Sequence, residues 1–274
     1  MRVFVTGATG FIGSVLVPEL IGAGHTVVGL TRSDKGAEAL KEAGAEVQRG
    51  TLEDLDSLRA AAAASDGVIH LAFGHPSGLA AALPIDLHAV ETMGAALEGS
   101  GKPFVTTSHL NGEASDNAVL LLSGVRGVVV SLSLSVHGEG DTHGFVPRLI
   151  TTAQTRGVSA YIGDGSNRWP AVHRLDAAHL FRLALESAPA GSRLDGVGDE
   201  GVPFRDIASI IGRHLNLPVV SISREEADAH FGSFLGTVAA VDRPRSSART
   251  QELLGWRPVH PRLLPDLEQH YFTN

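Results

Sequence analysis

The residues of this 274-residue chain best suited to chemistry are three glycines, one arginine and a scatter of histidines. Gly7, Gly10 and Gly13 punctuate MRVFVTGATGFIG, where a β-branched run from Val3 to Thr6 breaks into a turn and a helical pattern opens at Phe11. The glycines do separate jobs, in that Gly7 makes the tight turn, Gly10 lets the backbone approach a pyrophosphate, and Gly13 lets the helix lie close to the strand. Phosphates would then rest on unpaired N–H groups at the positive end of a helix. Thr9, Phe11 and Ile12 join the three glycines as cofactor-binding residues. The next strand-like run, VVGLTRS, ends in Thr31, Arg32 and Ser33. A carboxylate there would repel a ribose 2′-phosphate, whereas a guanidinium can bind it bidentately. NADP is therefore favoured over NAD, although Asp34 is near enough to keep the choice open and Arg32 has the alternative of a solvated surface role.

Imidazoles titrate near neutrality and can give or take a proton. Of the 13 histidines, His75, His109, His137, His143 and His173 fall on segments that an α/β fold would gather beyond its strand ends. For each taken singly, a structural or substrate-loop role is the plainer expectation. Ser108 and His109 cannot act as nucleophile and base within a strand, because neighbours there point to opposite faces. His109 could turn inward if the strand has ended, and Asn111 and Glu113 are further polar candidates nearby. In HGEGDTH, His137 and His143 flank Glu139 and Asp141, a set that could ligate a divalent ion. Its glycines fit a flexible substrate loop better, and no metal is expected.

The elements that must position these groups alternate. Strand-like runs at Arg2 to Thr6, Thr26 to Thr31, Ala45 to Gln48, Gly67 to Leu71, Pro103 to Thr107 and Gly127 to Leu134 are separated by helix-like stretches. Those helices are expected at Phe11 to Ala23, Lys35 to Ala43, Leu55 to Ala64, Ile85 to Glu98 and Ala114 to Leu122. Nearly all-apolar strands alternating with helices imply a parallel sheet covered on both faces. The expected fold is α/β, a doubly wound, mostly parallel Rossmann sheet with a small C-terminal α/β substrate-binding subdomain. Residues 1–143, with a returning segment at about 171–198, would form the dinucleotide-binding part, and 144–170 with 199–274 the smaller part. There, helices are expected at Phe145 to Thr155, Pro203 to Leu215, Arg224 to Phe231, Ser247 to Leu254 and Pro265 to Tyr271. Gly163, Asp164, Gly165 and Asn167 read as a turn between two short strands, and Asp176 as a helix N-cap.

Composition narrows the setting. Hydrophobic content of 43% and charged content of 19% suit a globular chain. A net charge of -8 gives no footprint for nucleic acid or anionic lipid. The absence of cysteine excludes disulfides, thiolate metal sites and cysteine nucleophiles. No leader pattern and no apolar run of about 18 residues is visible. The expectation is a cytoplasmic protein with a small-molecule substrate, no nucleic-acid or membrane partner, and room for a homodimer.

TGATGFIG, VVGLTRS, GTLEDLDSL and GVIHLAF, in this order and spacing, resemble the extended and atypical branch of the short-chain dehydrogenase/reductase family, of the NAD-dependent epimerase/dehydratase type. SLSLSVHGEG is similar to that family's last core strand and substrate loop, GDGSNRWPAVHRLDAAHLFRLALE to its returning strand and helix, and TQELLGWRP to its LGWxP signature. The resemblance implies that Thr51 and Leu52 line the adenine, although the family usually has an acidic residue at Thr51. It implies that Leu71, Ala72 and Phe73 border the cofactor riboses, and that Tyr161, Asn167, Arg168 and Trp169 contact substrate. Packing is the alternative for Tyr161 and Trp169.

The same resemblance exposes a departure. The family's reductases move the proton of the substrate oxygen with a tyrosine whose pKa is lowered by a lysine four residues on, beside a serine or threonine that hydrogen-bonds the same oxygen. Ser108, closing PFVTTS, matches the serine. The tyrosines are Tyr161 and Tyr271, the lysines Lys35, Lys41 and Lys102, and no Tyr-x-x-x-Lys exists. The segment after Ser108 is about half the family's usual length, and aligning the Ser115 helix with the family's catalytic helix puts Gly112 and Asp116 at the tyrosine and lysine positions. Ser108, His109 and His137 are left as candidate catalytic residues, and His75, His143, Tyr161, Asn167, Trp169 and His173 as candidate substrate contacts.

Two functions follow from different classes. One is an NADP(H)-dependent oxidoreductase acting on a small carbonyl, alcohol or biosynthetic intermediate, with Ser108 orienting the oxygen and a histidine or ordered water as a non-standard proton donor. The other is a non-redox cyclase, isomerase or lyase on a reductase scaffold, its cofactor structural or absent. The undamaged phosphate turn tips the balance narrowly to the first, and a non-catalytic NADP(H) sensor is a third reading.

Overall fold

The computed structural model describes residues 1–74 and 78–272. In chain order its elements are β1 (Arg2–Thr6), α1 (Gly13–Gly22), β2 (Thr26–Thr31), α2 (Asp34–Glu42), β3 (Glu46–Arg49), α3 (Leu55–Ala63), β4 (Gly67–His70), α4 (Leu79–Leu97), β5 (Pro103–Thr107), α5 (Glu113–Leu120) and β6 (Arg126–Leu132). There follow β7 (Ser135–His137), α6 (Phe145–Arg156), β8 (Ser159–Ile162), β9 (Arg168–His173), α7 (Arg174–Ser187), β10 (Ser192–Gly196), β11 (Asp199–Pro203) and α8 (Phe204–Leu215). The chain closes with β12 (Val219–Ile222), α9 (Ala227–Phe231), α10 (Ser233–Ala239), α11 (Ala248–Leu254) and α12 (Leu263–His270).

The chain divides into two compact units. The first comprises Met1–Leu132, Ala177–Asp195 and Arg249–Trp256, the second Ser133–Asp176, Gly196–Ala248 and Arg257–Asn274. Residues 133–143, expected with the dinucleotide-binding part, thus go with the second unit, because β7 pairs with β9 rather than extending β6. Residues 249–256, expected in the smaller part, go with the first, where the Thr250 hydroxyl accepts from the Asp195 N–H at 2.7 Å.

In the first unit a seven-stranded sheet runs β10-β6-β5-β4-β1-β2-β3. The ladders from β3 through β6 are all parallel. Burial dictates this: Val3, Phe4, Val5, Val68, Ile69, Phe104, Val105, Val128, Val129 and Val130 are inaccessible, as strands covered on both faces require. The chain lays down β1, β2 and β3 in one direction and then crosses to β4, β5 and β6, so strand order reverses between β1 and β4. In open parallel sheets ligands bind beyond the carboxyl ends of the strands at that switch point. The mostly parallel α/β sheet expected from the sequence is the fold.

Several helices start elsewhere than expected, among them α9 at Ala227 rather than Arg224 and α12 at Leu263 rather than Pro265. The helical ladder of α1 begins at Gly13, because the residues from Phe11 still belong to the turn. α4 begins at Leu79 rather than after Pro84, which the helix carries in its interior; the proline costs an N–H bond but does not end a helix packed along its whole length.

In the second unit β11-β9-β7 form one sheet and β12 pairs with β8 in parallel. The turn at Gly163 to Asn167 therefore joins strands of different sheets and is not a hairpin. Trp169 lies at the centre of this unit's core, edge-on to Phe204 at 4.8 Å and to Phe145 at 5.8 Å. Asp176 sits inside the first turn of α7 instead of capping it; its carboxylate accepts from the N–H groups of Val259 and His260 and from His260 Nδ1 at 2.7 Å. A carboxylate that can gather three donors from a passing loop is worth more there than on one helix N–H.

Candidate functional site

Glycine is obligatory at two positions of the opening turn. Gly7 has φ of 67°, and a Cβ there would lie 2.7 Å from Ala72 N and 2.8 Å from Leu71 C, so the turn leaving β1 passes directly against the chain leaving β4. At Gly13 a Cβ would lie 2.0 Å from Gly7 O, so α1 sits on the turn at backbone distance. Gly10 closes the turn with its N–H on Gly7 O at 2.9 Å, and with Thr9 it is exposed. No side chain caps α1 at Ile12; Ser14 N already bonds Gly10 O at 2.9 Å and Val15 N bonds Ile12 O at 3.1 Å, so what the helix adds for an anion is its positive dipole end. The shape and donors of this cradle fit a pyrophosphate. The sheet edge next to it also carries the rest of the expected cofactor set.

At the end of β2, Thr31 is buried and Arg32 exposed. Ser33 is the N-cap of α2, its Oγ accepting from Gly36 N at 3.0 Å. Asp34 is ion-paired to Arg49, which ends β3 and is register partner of Thr31. Thr51 is exposed, with its hydroxyl accepting from Glu53 N at 3.3 Å, and Leu52 packs against the core of the first unit. Leu71, Ala72 and Phe73 are half-buried where β4 gives out, and His75 lies outside the described residues.

A buried polar chain lies at the switch point itself. Thr6 and His70 are register partners at the ends of β1 and β4. Ala72 N donates to Thr6 Oγ1, which is hydrogen-bonded to His70 Nδ1 at 2.7 Å. His70 Nε2 meets Asp86 Oδ1 of α4 at 3.0 Å, and Ser115 Oγ of α5 donates to Asp86 Oδ2 at 2.6 Å. His70 thus bridges Thr6 of β1 and Asp86 of α4 through its two ring nitrogens. Burial works to raise the Asp86 pKa, and the hydrogen bond and charge of His70, with the Ser115 hydrogen bond behind them, more than offset it, leaving the carboxyl below its ordinary range.

Ser108 stands two residues beyond Thr106, which is level with His70 across the β4–β5 ladder, so it leaves the sheet alongside Ala72. Its hydroxyl donates to Asp116 Oδ2 at 2.7 Å, and Arg193 Nη1 donates to the same oxygen at 3.2 Å. The loop that follows is a single turn, closed by Gly112 N on His109 O at 3.0 Å with Asn111 at φ of 60°. His109 has turned inward: its ring stacks on Phe73 at 3.7 Å and 17°. Burial, opposed by Asp86 and assisted by His70, pushes its pKa down to about 4. That favours the uncharged imidazole at neutral pH, a neutral hydrogen-bonding group rather than an imidazolium acid.

The remaining candidates belong to the second unit. His137 is buried, with Nδ1 at 2.7 Å from Asp266 Oδ2 and its ring edge-on to His173 at 5.4 Å. His173 stacks on His260 at 5.1 Å, and burial, then His137, lowers its pKa to about 4. Both are built into the packing of this unit. His143 is exposed, its Nδ1 facing Thr142 Oγ1 at 2.6 Å. Asp141 accepts from Gly144 N and the Tyr271 hydroxyl, each at 2.8 Å. Asn167 spends its amide on the carbonyls of Ala239 and Val241, and Tyr161 packs partly buried on the core. Trp169 is wholly inaccessible, so the expectation that it contacts substrate is corrected: it is core.

Sequence reasoning passed over His70, Asp86, Ser115 and Arg193, and took Asp116 only as an alignment partner. One signal was available for Asp86, a lone carboxylate in the apolar stretch LAAALPIDLHAV, because a charge there must find a buried partner.

Residues 3–96 match the family model described as the NAD dependent epimerase/dehydratase family. An uncharacterized protein of Schizosaccharomyces pombe is 47% identical over 97% of this chain and 98% of its own length. An uncharacterized protein of Saccharomyces cerevisiae is 43% identical over 100% of both. The dTDP-glucose 4,6-dehydratase DesIV of Streptomyces venezuelae, solved with NAD bound, shares the fold with a TM-score of 0.76 over 98% of this chain and 95% of its own, at 17% identity. No helix among the described residues is long and apolar enough to cross a membrane. The chain belongs to the NAD-dependent epimerase/dehydratase family, of the short-chain dehydrogenase/reductase type, and has that family's NAD(P)-binding fold.

Proposed function

We propose that this protein is an NADP(H)-binding oxidoreductase that acts on a small carbonyl or alcohol compound or biosynthetic intermediate, with Ser108 at the reacting oxygen and no tyrosine in the proton path. One observation carries the reading: at the switch point of the sheet the turn from Gly7 to Gly13 is held at backbone contact distance, so that a Cβ at Gly7 or Gly13 would collide with the backbone that shapes it. When bound, the dinucleotide supplies the hydride chemistry. The chain's own residues hold the pyrophosphate on the α1 turn, the adenine ribose at the end of β2, and the reacting oxygen near Ser108. Preference for the 2′-phosphate is supported by exposed Arg32 and by Arg49, which offsets the charge of Asp34.

The competing non-redox reading is favoured by a specific feature: among the described residues Ser108 has a carboxylate, Asp116, as its hydrogen-bond partner where the family's reductases have a phenol, and burial disfavours the charged form of His109. Purified protein titrated with NADPH by fluorescence, then mixed with panels of carbonyl compounds (with NADPH) and alcohols (with NADP), separates the two by absorbance of the reduced nicotinamide. Tight binding with turnover supports the oxidoreductase. Tight binding with no redox change, together with conversion of a candidate intermediate when the nucleotide is left out, assigns the non-redox class. Gly10→Phe should abolish binding; undiminished affinity would show that the pyrophosphate is not at this turn.

A further inference from the structure

The donor side of Ser108 is already engaged. Its hydroxyl proton is given to Asp116 Oδ2 at 2.7 Å, so what it can turn to a ligand is a lone pair, able to accept from a ligand hydroxyl and unable to donate to a carbonyl. Asp116 is built to receive that proton. It is 4% exposed, sits in the first turn of α5, and its second oxygen, Oδ1, is buried without a hydrogen-bond partner. The cation set against it is Arg193 of β10, whose Nη1 is 3.2 Å from Oδ2 while Nη2 is held by Asn117 Oδ1 at 3.2 Å. A buried carboxylate with an empty acceptor site and a serine proton pointing at it is costly for a merely structural pair, which would satisfy both oxygens.

We propose that Ser108 and Asp116 form a proton-accepting relay that stands in for the missing tyrosine and lysine, and that the protein works in the direction of alcohol oxidation. The proposal rests on the reading of Ser108 as neighbour of the reacting oxygen. Ser108 is the catalytic residue: it takes the hydroxyl proton of an alcohol ligand as its own proton passes to Asp116 Oδ2. Asp116 is the positioning residue behind it. The ligand loses one O–H and one C–H bond and gains a C=O bond; the proton ends on Asp116, and the electron pair leaves with the hydride to an oxidised nicotinamide dinucleotide. Arg193, half-exposed at the rim, keeps the carboxylate able to return its proton to solvent.

The relay can be tested before any substrate is known. Full-length protein labelled with ¹³C at aspartate carboxyls is titrated by NMR, with the Asp116 resonance assigned by its loss in Asp116→Asn; should that variant not fold, the shift produced by Arg193→Ala assigns it. The oxidised nicotinamide carries a positive charge that the reduced ring lacks. A carboxylate one serine away should therefore titrate about one pH unit lower with NADP bound than with NADPH bound. Ser108→Ala should raise both midpoints by removing the donor to the ionised form. Identical midpoints with the two nucleotides overturn the relay, since a structural Asp116 away from the reacting end would not distinguish them. An unmoved midpoint in Ser108→Ala overturns it as well. Failure of the wild-type protein to bind either nucleotide refutes instead the oxidoreductase reading beneath it.

Discussion

His109 makes a quantitative claim about acid sensitivity. In the unfolded chain its imidazole titrates near the ordinary histidine value of about 6.5, whereas in the folded protein burial, with His70 adding to it and Asp86 opposing, holds it to about 4. The residue is only half-buried overall, yet its Nε2 is fully buried and without a partner, so desolvation falls on the atom that would have to carry the charge. Between these two values the unfolded state binds more protons than the folded one. The contribution is therefore fully present above about pH 6.5 and is lost as pH falls toward 4. Linkage puts the loss at about 2 kcal/mol by pH 5 and about 3 kcal/mol once both states are protonated. His109→Phe preserves the stack on Phe73, seen at 3.7 Å, but cannot titrate. In urea unfolding at pH 7 and pH 5, the wild-type protein should lose about 2 kcal/mol more than this variant across the interval. Equal losses in the two proteins, or an NMR titration of His109 near 6.5, would refute the reasoning and would restore His109 as a candidate acid.

Other expectations follow from the same geometry. Gly13→Ala places a methyl 2.0 Å from Gly7 O, a backbone atom that cannot yield, so it should cost about 2 kcal/mol or more and reduce NADPH affinity at least tenfold, read by thermal melts and fluorescence titration. Arg32→Ala should weaken NADPH roughly tenfold and NADH little, while Asp34→Asn should tighten NADPH a few-fold and Arg49→Ala, by baring Asp34, should weaken it; parallel changes in both nucleotides would undo the assignment of the 2′-phosphate to this corner. Trp169→Ala removes a wholly buried indole and should destabilise the second unit by about 3 to 5 kcal/mol in calorimetry, with a loss below about 1 kcal/mol contradicting its placement in the core. Asp176→Ala deprives Val259 and His260 of three donor–acceptor contacts and should open the segment after Trp256 to limited proteolysis, where unchanged resistance would count against the anchoring role.

Legibility in the sequence followed locality. β1, β2 and β5 are found at the residues expected, because a buried parallel strand must be apolar throughout and its ends are marked by glycine, proline or charge. The helices α2, α3, α5 and α6 fall within a residue or two of expectation. The short strands β7, β10, β11 and β12 and the helix α10 were not legible, since three to seven residues without a clear period take their form from a partner far away in the chain. The histidines show the same limit: the letters place His109 and His173 near strand ends, but whether each is solvated and titrating or buried and neutral depends on Phe73, Asp86, His137 and His260, none of them local.

By itself the sequence determined the glycine turn, since the positive φ of Gly7 and the close approach of Gly13 to Gly7 O are demands met within a dozen residues, and it determined the loss of the tyrosine–lysine pair, which is a matter of inventory. Only the tertiary structure decided which polar groups lie together at the ends of these strands. Thr6, His70, Asp86 and Ser115 come from four elements, and Ser108, Asp116 and Arg193 from the end of one strand, a helix and a distant edge strand. A hydrogen bond between groups 77 residues apart leaves no periodic trace in a chain. It exists because burial forces each polar atom to find a partner, and the fold determines which partner is within reach.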